Sequence, residues 1–344
     1  MLAGPAVGMF FAELGARVIK IENARTGGDM TRHWKSTAED SEASISAYYS
    51  SVNWGKEVLM LDLKTPEAQA KVHALAAQAD VVIANFKPGS GAKLGMDYQS
   101  LKKINPSIIY GHISGFDLSS TRPAFDVVLQ AESGYMSMNG THESGPVKMP
   151  VALIDALTAH QLKEGILCAL LQREQTGKGA FVHASLFDTA VASLANQASN
   201  YLMTHRVPQR MGSLHPNIAP YGETFDTADQ QQVVLAVGTD RHFATLCQLL
   251  DVSALSNDAR FATNKARVAN REALRQLLAN RIVLHSRDQL MALLLEHHVP
   301  AGAIRNLETV FAQPEAQRLV LESTIESQPS KRVKTVTFEI LPAE

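Results

Sequence analysis

Cysteine is nearly absent from this 344-residue chain, which carries only Cys168 and Cys247. Two thiols cannot build a disulfide framework or a thiolate zinc site. Both lie in apolar helical contexts, where cysteine acts as a small core residue. A cytoplasmic, reducing compartment is the expectation. Excess charge of one sign is also missing. The chain has 32 basic and 34 acidic residues, so its bulk balance offers no nucleic acid or membrane surface a partner. The apolar start, Met1 to Ala12, lacks a basic leader and runs straight into Glu13 and Arg17. It reads as neither a signal peptide nor a spanning helix. Several chemistry-bearing motifs are missing as well. No Gly-x-Gly-x-x-Gly follows a strand, and Leu2-Ala-Gly-Pro-Ala-Val-Gly8 is too sparse to bind a dinucleotide. There is no Walker loop and no Gly-x-Ser-x-Gly elbow. The histidines, His297-His298 included, have no metal-ligand spacing. No metal and no resident cofactor are expected.

What is present is material for a large core, since 45% of the residues are hydrophobic. The length suits two domains or one large one. Residues 5–14 read as a helix, with Pro5 in the first turn and Gly15 past the end. Val18–Glu22 and Val58–Asp62 read as strands. Thr65-Pro-Glu67 opens a helix to about Gln78, with Thr65 as cap. A strand is expected at 80–84, a helix near 98–104 and a strand at 107–113. Helical patterns follow at 125–138 and 153–174, then a strand at 180–186 and a helix at 187–203. This alternation indicates βαβ units and a parallel sheet. The expected fold is therefore α/β, with a doubly wound, Rossmann-like large domain over residues 1–204.

Residues 205–222 carry Pro208, Gly212, Pro216, Pro220 and Gly222 and read as a linker. A smaller α+β domain, 223–305, follows. It begins with the strand Val233–Val237 and continues through helices at 241–250, 271–284 and 287–297. The segment 306–344 is expected to return to the large domain, with a closing strand within 330–341. No strand precedes the first helix, so the sequence reads as an N-terminally shortened Rossmann-like domain.

Asp155 sits inside the apolar run Pro150-Val-Ala-Leu-Ile-Asp155-Ala-Leu-Thr-Ala. Burying an ionised carboxylate is costly unless a helix start compensates with its free N–H groups and dipole. Asp155 is thus either a helix cap or a placed reactive group. Three loops, each after an expected strand, offer cations: Gly27–Trp34, Asn53–Glu67 and Asn85–Gly95. Cations at the carboxyl ends of strands, with Phe86 as an apolar surface, suit a ligand carrying phosphates and an aromatic base.

These segments resemble the class III CoA-transferases of the CaiB/BaiF family. The likeness runs in order through Leu2-Ala-Gly-Pro5, Leu14-Gly-Ala-Arg-Val-Ile-Lys-Ile-Glu22, Gly28-Asp-Met-Thr-Arg32, Leu61-Asp-Leu-Lys-Thr-Pro-Glu67 and Asn85-Phe-Lys-Pro-Gly89. It continues through Ile113-Ser-Gly-Phe116, Arg122-Pro-Ala-Phe-Asp126, Arg173-Glu-Gln-Thr-Gly-Lys-Gly179, Asp258-Ala-Arg-Phe-Ala-Thr-Asn264, Arg267-Val-Ala-Asn-Arg271 and Val299-Pro-Ala-Gly302. The resemblance implies an acyl-CoA:carboxylate CoA-transferase with Asp155 as nucleophile. The intermediates implied are an aspartyl mixed anhydride and an aspartyl-CoA thioester. It also implies CoA contacts at Ala3, Arg32, Leu61, Asp62, Leu63, Lys64, Asn85, Phe86, Lys93 and Asp126, the last at a position near the active site in relatives. CoA is then a substrate moiety, the partners are acyl-CoA and a small carboxylate or dicarboxylate, and the assembly is an interlocked homodimer.

Departures narrow the activity. Phe125 stands where racemases of the family carry His, which argues against racemisation. Leu2 and Ser213-Leu-His-Pro216 depart from the formyl-CoA:oxalate branch, and the loop Asp117–Thr121 is short. The alternatives are an α-methylacyl-CoA racemase or another CoA-thioester enzyme on this scaffold, or a non-catalytic acyl-CoA-binding protein.

Overall fold

The computed structural model describes residues 2–341. The chain divides into two compact units. The first comprises residues 1–137, 148–208 and 317–344, and the second 138–147 and 209–316.

In the first unit, helix α1 (Ala3–Glu13) leads to strand β1 (Val18–Asn23), and α2 (Ala47–Asn53) to β2 (Lys56–Leu61). Next come α3 (Pro66–Ala76), β3 (Val81–Ala84), α4 (Ser90–Lys93), α5 (Tyr98–Ile104) and β4 (Ile109–Ser114). Thr65 caps α3 by accepting from Ala68 N–H, as its position ahead of Pro66 requires. The chain continues through α6 (Asp126–Glu132), α7 (Tyr135–Met138), α8 (Leu153–Thr176), β5 (Ala180–Ser185), α9 (Leu186–Ala192) and α10 (Ala195–Thr204). The parallel strands form two sheets, β1-β2 and β3-β4-β5. Helix α1 reaches both. A Cβ on Gly4 would lie 3.9 Å from Ile83 and Ile113, and one on Gly8 3.4 Å from Val18 and Lys56.

Two patterns read as single helices are interrupted. Gly134, at φ +94°, separates α6 from α7, and Ala195, at φ +48°, separates α9 from α10. Helix α8 lies on β4 and β5, where glycines permit close approach. Gly111 faces the Leu162 and Ile166 side chains, and Gly165 faces Val182. Ile154, Leu162 and Ile166 are fully buried in the core they share with Ala3, Val7 and Phe116. Each contributes on the order of 2 kcal/mol.

The second unit contains β6 (Tyr221–Asp226), β7 (Gln232–Ala236), α11 (Asp240–Leu249), α12 (Asn264–Ala269), α13 (Arg271–Ile282), α14 (Arg287–Glu296), β8 (Ala301–Ala303) and α15 (Leu307–Phe311). Its sheet, β6-β7-β8, is antiparallel. Strand β6 begins inside the Pro- and Gly-rich stretch. Two arginines of the Arg267-Val-Ala-Asn-Arg271 motif pin that stretch. Fully buried Arg267 donates to the Ala219 and Phe261 carbonyls, and Arg271 to those of His215 and Ile218.

Helix α16 (Pro314–Gln317) precedes the hairpin of β9 (Val320–Ile325) and β10 (Gln328–Val333). The alternating tail Val333–Phe338 is not a strand. Beyond Val333 the N–H groups of Thr335 and Val336 donate to the Glu13 carboxylate, which ends the pairing. The architecture is mixed α/β, with parallel and antiparallel sheets.

Candidate active site

Asp155 lies in the first turn of α8, partly exposed, with its carboxyl pushed up to about 6. Burial is the first cause and the charge of Asp126 the second. Helix α8 has no capping side chain of its own, since Ala152 stands at its N-cap. Asp126 Oδ2 takes that place, accepting from Ile154 N–H at 2.7 Å and Asp155 N–H at 3.1 Å. Asp126 is the cap, and the Asp155 carboxylate has no capping hydrogen bond.

Tyr48, on α2, belongs to the same electrostatic neighbourhood. Burial pushes its hydroxyl up, helped by the charges of Asp155, Asp126 and Asp29. Its ring meets Trp34 edge to face, with centroids 5.1 Å apart. Tyr48 is thereby the aromatic residue electrically coupled to the partly buried carboxylate.

Arg32 is 6% exposed, and each of its three guanidinium nitrogens holds a protein acceptor. Nε donates to Glu22 at 2.7 Å, Nη1 and Nη2 to Glu326 at 2.8 and 2.7 Å, and Nη2 also to Tyr49 at 2.8 Å. Arg32 holds the Glu22 carboxyl down at about 2, against the opposing pull of burial and together with the Tyr49 hydroxyl. The rest of the Gly28–Arg32 motif builds the same network. Asp29 pairs with Lys20 at 2.6 Å. Gly28 has φ +98°, and a Cβ there would sit 2.4 Å from Glu22 Oε2.

The other residues implied by resemblance fall at the carboxyl ends of β2 and β3. Leu61 ends β2, and Asp62 Oδ1 accepts from Lys64 N–H in the turn that follows. Asn85 and Phe86 follow β3, and Lys93 ends α4 with its side chain exposed. Leu63 and Phe86 pack on a cluster around Tyr110, separate from the core under Asp155. Ala3 opens α1 within that latter core, which also holds Ile154. The structure therefore brings Asp155 and Asp126 together and sets Ala3 in the core cluster that also holds Ile154. It places Arg32 in a network of its own, and it puts the β2 and β3 loop residues around Tyr110.

Two residues near Asp155 escaped the sequence reading, Tyr48 and Gln130. The spacing of Gln130 from Asp126, one helical turn, was visible, but nothing in it marked a pairing. Among the described residues no three or more His, Cys, Asp or Glu side chains are grouped to hold a metal. No described helix is long and apolar enough to cross a membrane.

Comparison with known proteins extends these observations. The sequence model of CoA-transferase family III matches residues 1–342. A succinate–glutarate CoA-transferase of Agrobacterium fabrum is 39% identical over 350 residues, covering 100% of this chain and 87% of the relative. The human succinyl-CoA:glutarate CoA-transferase is 35% identical over 318 residues, covering 92% of this chain and 71% of its own. A crystal structure of a CaiB/BaiF family protein from Brucella suis superimposes with a TM-score of 0.83 at 40% identity, over 98% of this chain and 89% of that one.

Proposed function

The chain belongs to CoA-transferase family III, and from that membership we propose that Asp155 carries its reaction, the exchange of CoA between two carboxylic acids. The enzyme is an acyl-CoA:carboxylate CoA-transferase. In the proposed course, the Asp155 carboxylate attacks the thioester carbonyl of the donor acyl-CoA. The C–S bond breaks, CoA thiolate leaves, and a mixed anhydride remains on Asp155. The thiolate attacks the aspartyl carbonyl of that anhydride, which expels the donor acid as its carboxylate and gives an aspartyl-CoA thioester. An acceptor carboxylate attacks this thioester and regenerates an anhydride and a thiolate. Attack of the thiolate on the acceptor's acyl carbon releases the new acyl-CoA and restores Asp155. No proton or electron is consumed, so the site's task is to orient charges and exclude water.

The observation that carries this reading is the carboxylate of Asp155. It lies at a helix start whose capping role another residue has taken, and it is partly desolvated. The named relatives support a dicarboxylate pair, with succinyl-CoA as donor and a five-carbon dicarboxylate as acceptor. CoA contacts are proposed at Ala3, Leu61 to Lys64, Asn85, Phe86 and Lys93. Arg32 and Asp126 first serve the scaffold. A Rossmann-like large unit and a homodimer complete the proposal. Supporting the dimer, α10 has no buried residue and exposes Tyr201, Leu202 and Met203, an apolar face that a second copy would cover.

Trapping tests the nucleophile. After incubation with succinyl-CoA, hydroxylamine or borohydride treatment is expected to modify Asp155 alone in peptide mapping. A label on any other residue overturns the assignment. Loss of a substrate α-proton to solvent without CoA exchange would favour racemisation instead. Sedimentation as a monomer at micromolar concentration would remove the dimer.

A further inference from the structure

The cap on α8 is itself held by a buried amide. Asp126 Oδ1 accepts from Nε2 of Gln130, one turn further along α6. Gln130 is 1% exposed, and its Oε1 accepts from Met149 N–H at 2.8 Å. The chain therefore runs Met149 N–H to Gln130, Gln130 to Asp126, and Asp126 to the Ile154 and Asp155 N–H groups. Its polarity is fixed from both ends. Backbone N–H groups can only donate, so Oε1 must face Met149 and Nε2 must face residue 126. Only a group that accepts on both oxygens fits there, and an ionised carboxylate is such a group. Asparagine, another favoured cap, would turn its NH2 donor toward one of the two sides.

We infer that Gln130 is a positioning residue for CoA transfer: it fixes the Asp126 carboxylate as the cap of α8 and so sets the direction in which the Asp155 carboxylate meets the thioester carbonyl. The inference rests on the reading of Asp155 as nucleophile and adds to it why the cap is anionic. The carboxylate also keeps a negative charge beside the nucleophile, which makes Asp155 more basic and hence more reactive once ionised. Among the described residues, the groups electrically coupled to Asp155 are Asp126 on α6 and Tyr48 on α2.

The polarity supplies its own test. Gln130→Leu removes the amide's bonds to Met149 N–H and to Asp126 Oδ1, and Asp126→Asn sets two amide donors against each other. Each is expected to lower kcat about 10-fold to 100-fold, the scale of a slightly misplaced reacting group. KM for the acyl-CoA should stay within about twofold, because these side chains are not in the proposed CoA-binding set. The double variant Asp126→Asn with Gln130→Glu restores the pattern. The new carboxylate at 130 accepts from both Met149 N–H and the Asn amide, and the Asn oxygen accepts from the helix. Its kcat is expected to recover most of the loss. The acid limb of kcat/KM should move to lower pH, since the charge has moved away from Asp155.

A double variant no faster than Asp126→Asn, or single variants that raise KM with kcat intact, would overturn the inference. Thermal melts confirm that each variant is folded, and rescue in the double variant cannot arise from unfolding. The wild-type adduct separates the two levels. A label on Asp155 with failed rescue removes the inference alone, and a label elsewhere removes both.

Discussion

Replacing the proposed nucleophile should make the protein more stable. The Asp155 carboxyl is raised from its ordinary 3.8 to about 6, first by burial and then by the charge of Asp126. A raised carboxyl means that folding favours the protonated form. The stability it contributes is fully present below the unfolded value near 4 and is lost as pH rises through about 6. At pH 8 the wild type therefore holds an ionised group that the fold disfavours, and an Asp155→Asn variant does not. Two pH units at ~1.4 kcal/mol each set a ceiling of ~3 kcal/mol. Asp155 is partly exposed, and solvent screening brings the expected gain to ~1–2 kcal/mol. Urea unfolding of both proteins at pH 8 and pH 5 measures it. The variant should be the more stable at pH 8, inactive in CoA exchange, and at pH 5 should keep only about half of that advantage. A variant less stable at pH 8, or an advantage of equal size at both pH values, would refute the reasoning. The first result would mean that the carboxylate is stabilised where it sits, and the second that its charge is irrelevant.

Other outcomes follow from the same geometry. The kcat/KM of CoA exchange should fall below pH of about 6 as Asp155 takes up its proton, and a flat profile down to pH 4.5 would contradict its raised carboxyl. Arg32→Ala takes one of two cations from buried Glu22, leaving Lys20 at 3.2 Å, and is expected to cost about 3 kcal/mol, the low end for a broken buried pair, in urea unfolding. A loss below ~1 kcal/mol would mean the network carries little. Gly179→Ala places a methyl 2.1 Å from the Ile108 carbonyl oxygen, where β5 meets β4, and should lower the melting temperature by several degrees. Cys247 is fully buried with its thiol pushed up to about 11, so iodoacetamide should modify it only after denaturation.

The sequence by itself determined the local elements. Apolar runs such as Val18–Ile21 and Val81–Ala84, Thr65 ahead of Pro66, and the long apolar pattern ending at Gly177 each act within about a dozen residues. Their periodicity and capping chemistry are therefore readable in one dimension. Family motifs picked out Asp155 in the same way. Tertiary structure decided what those residues touch. Asp155 looked like a possible cap, and the cap proved to be Asp126, whose contact with Ile154 spans 28 residues. Arg32 looked like an anion ligand, and its fork is filled by Glu326, 294 residues away. The tail alternated like a strand to Phe338, and Glu13 drew its N–H groups off after Val333. Hydrogen bonds and ion pairs of this reach depend on which elements the core packs together, and no local pattern encodes that choice.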